Sequence, residues 1–282
     1  MELILSGVKE YYDIYKNRFC EGEIDAARSN VKLENIHGTL ANKLHTMLTS
    51  SSSKSIETFS IGEHVGKHKN KASYKFDDGI TEELNISGNY YNKKVDIGAG
   101  FVNKEPKITP TGKVSKNSQF VINPIVGINV KVIVANYEQN ANNYFEGLLG
   151  ETVNIRRGGG IIAQVVIISS VLPYYKKNKE MKSLDRFNPS MLDRYITLYK
   201  QNASSTIERP NAMFVLIVDI DNWFPSIENK GNVSKTDPLS FGLASQDLEV
   251  YNKMSDIDIF FNDISLYTNE IICNKLEINY AQ

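Results

Sequence analysis

Apolar residues recur at spacings of three and four in four segments of the chain, which predicts four helices. The first covers residues 1–20, where Tyr, Ile and Phe lie on one side. The second runs from about Ala26 to Leu48, and two more are predicted at residues 137–155 and 190–200. The second helix has a single apolar stripe that consists of Leu33, Ile36, Leu40, Leu44 and Leu48.

Between these helices the pattern is typical of strands. Residues 83–87 and 127–134 alternate apolar and polar side chains, as half-buried strands do. Residues 161–172 are largely β-branched and apolar, which indicates a central strand buried on both faces. Two further strands are predicted at residues 94–102 and 212–220, and residues 103–118, which carry proline and lysine, are predicted to be a connection.

The order of these elements is helix, three strands, helix, strand, helix, strand. Strands that alternate with helices favour an α/β fold with some parallel pairing. We predict one domain over residues 1–282, with a core at about residues 26–220 and a C-terminal extension at residues 221–282. Residues 62–79 are polar and rich in lysine, which predicts a basic loop.

Composition narrows the class of protein. Hydrophobic residues make up 41% and charged residues 23% of the chain, which is typical of a globular protein. The net charge of -1 argues against a non-specific DNA-coating protein, because binding to a polyanion would need local basic patches. Two cysteines, Cys20 and Cys273, suggest neither a zinc site nor a disulfide scaffold. We expect a soluble, cytoplasmic protein, since the N-terminus lacks a leader pattern and residues 161–172 are too short to span a membrane.

Two predicted strands each carry a charged residue among apolar neighbours. Asp96 lies between Val95 and Ile97, so the strand pattern predicts that the two apolar side chains share one face and Asp96 points to the other. Lys131 interrupts the next strand, and Asn129, two residues earlier, faces the same way. A carboxylate that holds a hard cation, beside a lysine that orients water, is suited to phosphodiester hydrolysis. Taken alone, an Asp and a Lys in strands also fit a solvated pair.

With its helices and strands, this pattern resembles the PD-(D/E)XK nuclease superfamily, which contains most type II restriction endonucleases. The resemblance covers residues 33 to about 172 and implies a restriction-endonuclease-like core of helix, three antiparallel strands, helix and strand. It implies that an acid on the second strand and an acid-any-lysine triplet on the third bind Mg²⁺ and activate water. Asp96 matches the first acid, Lys131 the lysine, and Glu34 a glutamate often found on the first core helix.

The sequence departs from that pattern at two positions. Val95 replaces a proline, which changes no charge, but Asn129 stands where an acid is expected, and an amide lacks the negative charge. Two explanations stay open. In the first, the following helix supplies the missing carboxylate through Glu146 or Glu138. In the second, an acid-to-amide change at position 129 has produced an inactivated form that still binds DNA.

The resemblance thus implies a sequence-specific, Mg²⁺-dependent endonuclease that cuts double-stranded DNA. A homodimer is expected, because the two strands of a pseudo-symmetric site suit a two-fold assembly. Arg156 and Arg157 precede three glycines that allow the backbone to approach a phosphate. Basic and amide side chains expected to contact DNA are Lys69, Lys71, Asn140, Asn142, Arg156, Arg157, Lys176 and Lys177.

Three rival interpretations remain. Asp219 and Asp221 at the end of a predicted strand would suit a metal-dependent glycosyl- or phosphotransferase. A non-catalytic DNA-binding protein would bind a site without gaining cleavage when an acid is placed at position 129. A structural or interaction protein would do neither.

Overall fold

The computed structural model describes residues 1–20, 33–51, 80–82, 85–108, 114–133, 137–175, 181–219 and 233–280. The helices in this part of the chain are α1 (Glu2–Cys20), α2 (Glu34–Ser51), α3 (Tyr137–Arg157), α4 (Asp193–Lys200), α5 (Leu248–Met254) and α6 (Ile257–Tyr280). The strands are β1 (Ile80–Glu82), β2 (Asn85–Ser87), β3 (Asn92–Lys94), β4 (Ile97–Ile108), β5 (Val114–Ile133), β6 (Ile161–Ser169), β7 (Val171–Tyr175), β8 (Met181–Arg186), β9 (Ala212–Asp219) and β10 (Ser234–Lys235). The predicted α/β class is therefore confirmed.

The strands of the described residues form one large sheet and two small ones. The six-stranded sheet has the order β1-β4-β5-β6-β9-β10, so its members follow one another in chain order. β4 pairs antiparallel with both β1 and β5, and β10 pairs antiparallel with β9. The other two sheets are the antiparallel pairs β2–β3 and β7–β8.

The predicted connection at residues 103–118 is wrong. β4 continues to Ile108 and β5 begins at Val114, and the two strands pair along most of this length, from Asn103 opposite Val121 to Ile108 opposite Val114. An antiparallel pair satisfies its backbone hydrogen-bonding groups between its two strands, so it tolerates a polar sequence that lacks an apolar face.

The chain folds into two compact units. Unit 1 consists of Met1–Thr39, Val130–Val153 and Gln164–Phe260. Its core is built where β6 and β9 pack with the helices α3, α4 and α5, and the Tyr12 hydroxyl of α1 is hydrogen-bonded to the Ser169 hydroxyl of β6. Fully or nearly fully buried members of this core include Leu148, Val166, Ile168, Leu192, Ile196, Val215, Ile217, Tyr251 and Met254.

Unit 2 consists of Leu40–Asn129, Asn154–Ala163 and Phe261–Gln282. It holds the β4–β5 ladder and the β2–β3 hairpin. A small buried cluster joins this hairpin to the end of α3 and the start of β6, and it is formed by Ile86, Val95, Ile155 and Ile162.

Candidate functional site

Asp96 lies at a bend between two strands, immediately before β4. The first pair of the β4–β5 ladder joins Ile97 to Ile128, so Asp96 and Asn129 flank the same end of that ladder. Asp96 is half-buried, and Asn129 is only 4% exposed. The structure therefore brings an acid and a buried amide to one end of the β4–β5 ladder, within unit 2.

The predicted continuous strand at residues 94–102 is wrong at its start, and so is the expected side-chain alternation. Val95 lies against the position that a Cβ of Gly127 would occupy, with its Cγ1 only 2.8 Å away. Gly127 and Ile128 face opposite sides of the sheet, and Ile97 is the partner of Ile128. Val95 therefore points to the face on which Gly127 leaves space, and Ile97 points to the opposite face. The bend of the chain at Asp96 allows this change of side.

The remaining residues matched to the nuclease pattern are placed as follows. Lys131 is half-buried on β5, two residues beyond Asn129, and belongs to unit 1. Glu146 is exposed on α3, also in unit 1. Glu34 is the first residue of α2, and its side chain is outside the described part of the structure. Among the described residues, no group of three or more His, Cys, Asp and Glu side chains could hold a metal ion.

The residues expected to contact DNA are only partly described. The amide oxygen of exposed Asn142 accepts a hydrogen bond from Arg194 Nη1 at 2.8 Å. Asn140 lies on α3, with its side chain outside the described part. Lys69, Lys71, Lys176 and Lys177 lie outside the described residues altogether.

The structure describes only one of the two carboxylates on which the transferase interpretation depends. Asp219, at the end of β9, accepts a hydrogen bond from Ser170 Oγ at 3.4 Å, and Asp221 lies outside the described residues. The transferase interpretation thus stays a prediction.

The sequence interpretation missed the role of Asn154, which fixes the turn of the β2–β3 hairpin to the end of α3. The side chain of Asn154 is 2% exposed. Its Oδ1 accepts from the backbone N–H of Tyr90 at 2.9 Å, its Nδ2 donates to the carbonyl of Tyr91 at 2.9 Å, and its own carbonyl accepts from the N–H of Asn89 at 2.8 Å. These bonds satisfy polar groups of the turn without water, so a single buried amide sets its position.

Two glycines allow this close approach. A Cβ at Gly88 would overlap the amide of Asn154. A Cβ at Gly158 would lie 2.7 Å from the carbonyl oxygen of Ser87 and 2.9 Å from Cα of Gly88, both of them backbone atoms. Backbone atoms cannot move aside as the end of a flexible side chain can. Position 158 therefore has no room for a side chain and requires a glycine.

We expect Gly158→Ala to lower the free energy of unfolding by about 2–3 kcal/mol, because the new methyl group overpacks a backbone contact. Gly150→Ala, within α3, is the matched control. A Cβ there meets nothing within 4 Å, so this change should raise the free energy of unfolding by about 0.5–1 kcal/mol through helix propensity. Urea denaturation gives the free energy of unfolding of both variants. If the two substitutions changed it equally and in the same direction, the result would contradict the docking of the hairpin on α3.

The surface of this turn carries aromatic and basic side chains. Tyr90 is 67% exposed and Tyr91 is 52% exposed. The exposed guanidinium of Arg157 donates from Nη1 to the hydroxyl of Tyr90 at 2.8 Å. The adjacent Tyr90-Tyr91 pair after Gly88-Asn89, followed by two lysines, was the available sequence signal. What sequence alone could not supply is the docking on α3 that places this pair beside Arg157.

Comparisons with protein-family models, with curated proteins and with solved structures found no match. None of the described helices combines the length and the apolar character that crossing a membrane requires.

Proposed function

We propose that this protein is a sequence-specific, Mg²⁺-dependent endonuclease that cuts double-stranded DNA, of the type II restriction kind, and that it acts as a homodimer. The observation that carries the proposal is the position of Asp96 and Asn129 at one end of the β4–β5 ladder. The element order α2, β1, β4, β5, α3, β6, with antiparallel pairing of β1, β4 and β5, supports it as well.

The chemistry of the donors fits a hard cation. Mg²⁺ prefers oxygen ligands and is often held by one or two carboxylates, with water and substrate phosphate oxygens as its other ligands. Asp96 supplies a carboxylate, and the amide oxygen of Asn129 supplies an uncharged oxygen ligand at the same end of the β4–β5 ladder. The resemblance in sequence names Glu146 and Glu34 as further carboxylates, and both belong to unit 1. A bound Mg²⁺ would neutralise charge that develops on the scissile phosphate.

Lys131 is proposed to act on the attacking water. Two residues beyond Asn129, it shares a strand face with that side chain. Its ammonium group donates hydrogen bonds but cannot accept one, so it would orient the water and offset negative charge in the transition state. The Asn129 side chain lacks the negative charge that an aspartate or glutamate would have at this position. We therefore expect weak cleavage by this chain unless a glutamate elsewhere supplies that charge.

The test is cleavage of a mixed-sequence DNA duplex in Mg²⁺ by the chain as it stands and by Asn129→Asp. We expect cleavage in at least the Asn129→Asp form. Asp96→Asn should reduce it to background, and Lys131→Met should slow it by about 10²–10⁴-fold. The matched control is Asp193→Asn, the same chemical change at an exposed position of α4, which should leave cleavage unchanged.

Binding of the duplex in Ca²⁺, measured by gel shift, separates the alternatives. Binding without cleavage in either form would show a non-catalytic DNA-binding protein and overturn the enzymatic proposal. Loss of both binding and cleavage would overturn the assignment to DNA altogether.

A further inference from the structure

The segments that meet at the β2–β3 hairpin have a strong local charge. Residues 85–94 and 154–160 contain four cationic side chains and no acid, whereas the whole chain has a net charge of -1. The four are Lys93, Lys94, Arg156 and Arg157. A concentration of positive charge of this kind complements the phosphate backbone of a nucleic acid.

We infer that the β2–β3 turn and the last turn of α3 form a phosphate-backbone contact for duplex DNA, centred on Tyr90 and Arg157. This surface is called the basic hairpin, and it comprises residues 85–94 and 154–160. The inference deepens the proposed function and rests on it, since it assigns duplex DNA as the ligand. The assignment depends on three features: the charge, the hydrogen bond that joins the two side chains, and the rigid attachment of the turn.

The hydrogen bond between the two side chains leaves suitable donors available. Arg157 Nη1 donates to the Tyr90 hydroxyl oxygen, so the hydroxyl proton is directed toward a different acceptor. The planar guanidinium has further N–H groups in a fork that matches two phosphate oxygens. Tyr90 and Arg157 can therefore donate together to one phosphate group.

The attachment of the turn to α3 lowers the conformational entropy that is lost on binding. Asn154 holds the backbone of Tyr90 and Tyr91 through buried hydrogen bonds, and Gly88 and Gly158 let that backbone lie directly on α3. A surface that is already ordered loses less conformational freedom when a ligand binds. The exposed ring of Tyr91 extends the contact beside the phosphate.

The test is fluorescence anisotropy of a mixed-sequence DNA duplex in Ca²⁺ at a series of KCl concentrations. We expect Arg157→Gln to weaken binding about tenfold and to lower the slope of log K against log salt by about 1. Tyr90→Phe removes only the hydroxyl and should weaken binding less than Arg157→Gln does. The charge-matched control is Lys253→Gln on α5, where an exposed lysine pairs with Glu249, and it should stay within about twofold of the unaltered protein.

All of these side chains are exposed, so thermal melting should show folded variants. If the unaltered protein binds duplex DNA and Arg157→Gln binds it with the same affinity and salt slope, the basic hairpin is not a DNA contact although the proposed function survives. If the unaltered protein does not bind the duplex at all, both fail, and the exposed tyrosines are then better explained by a protein partner.

Discussion

Replacing Tyr251 by alanine is expected to lower the free energy of unfolding by about 3–5 kcal/mol, the range for removing a large buried aromatic side chain. Tyr251 is fully buried, and its ring meets Phe241 edge to face at 6.0 Å between centroids. Its hydroxyl accepts a hydrogen bond from the backbone N–H of Ile217 at 3.1 Å. Alanine would leave a cavity and a buried N–H without its acceptor. Equilibrium unfolding in urea measures the loss.

Tyr251→Phe separates the two contributions. Phenylalanine keeps the ring packing but removes the acceptor for Ile217, which should cost about 1–3 kcal/mol. The alanine variant should therefore be clearly less stable than the phenylalanine variant. Equal losses in the two variants would show that ring packing between α5 and β9 contributes little, contrary to the structure of the unit 1 core.

Alkaline pH is expected to destabilise the protein more steeply than exposed tyrosines would. Burial raises the pKa of Tyr251 to about 12, although the N–H of Ile217 opposes this by stabilising the phenolate. Burial also raises the pKa of Tyr195 to about 12, with the charge of Arg194 acting in the opposite direction. Burial raises the pKa of Tyr11 and Tyr12 as well. In an unfolded chain the tyrosine pKa is about 10.

The direction of the effect follows from these pKa values. Above pH 10 the unfolded chain loses its tyrosine protons first, while the native state keeps them until about pH 12. The stabilisation is therefore complete below about pH 10 and is lost as the pH rises toward 12, by about 2–3 kcal/mol for each of Tyr195 and Tyr251.

The free energy of unfolding, measured by urea denaturation at closely spaced alkaline pH values, tests this dependence. The double variant Tyr195→Phe/Tyr251→Phe should show a shallower loss above pH 10, because it lacks two of the groups that titrate. Lysine deprotonation is common to both proteins and cancels in the comparison. The same pH profile in both proteins would mean that these hydroxyls titrate normally.

The elements with a strong apolar pattern were predictable from the sequence. The predicted stripe of α2 lies inside, with Ile36, Leu40, Leu44 and Leu48 buried. The predicted central strand at residues 161–172 corresponds to β6, which is buried at every position, and it ends at a bend at Ser170 before β7. In both cases local periodicity and tertiary packing favour the same conformation, so local sequence sufficed.

The long β4–β5 ribbon and the bend at Asp96 were not predictable in this way. Residues 103–108 and 114–118 have no apolar period, and their strand conformation depends on pairing between the two strands. At Asp96 the strand pattern was misleading, because the space above Gly127 admits Val95 from the opposite side. Such a cross-strand gap depends on a residue far away in sequence.

The candidate site was predictable in part. The sequence singled out Asp96 and Asn129, and the register of β4 and β5 places them beside one end of the β4–β5 ladder. It also singled out Arg157 but did not connect it with Tyr90. That connection depends on Asn154, an amide within α3 whose role in holding a distant turn has no local signature.

Each of the two units is assembled from three separate stretches of chain, and the chain passes between them five times. During synthesis on the ribosome, unit 1 cannot be completed before Phe260 has emerged, although its first stretch ends at Thr39. Folding must therefore wait for contacts between residues that are distant in sequence, which favours slow folding. For the same reason, no single cut in the chain would release either whole unit without residues that belong to the other unit.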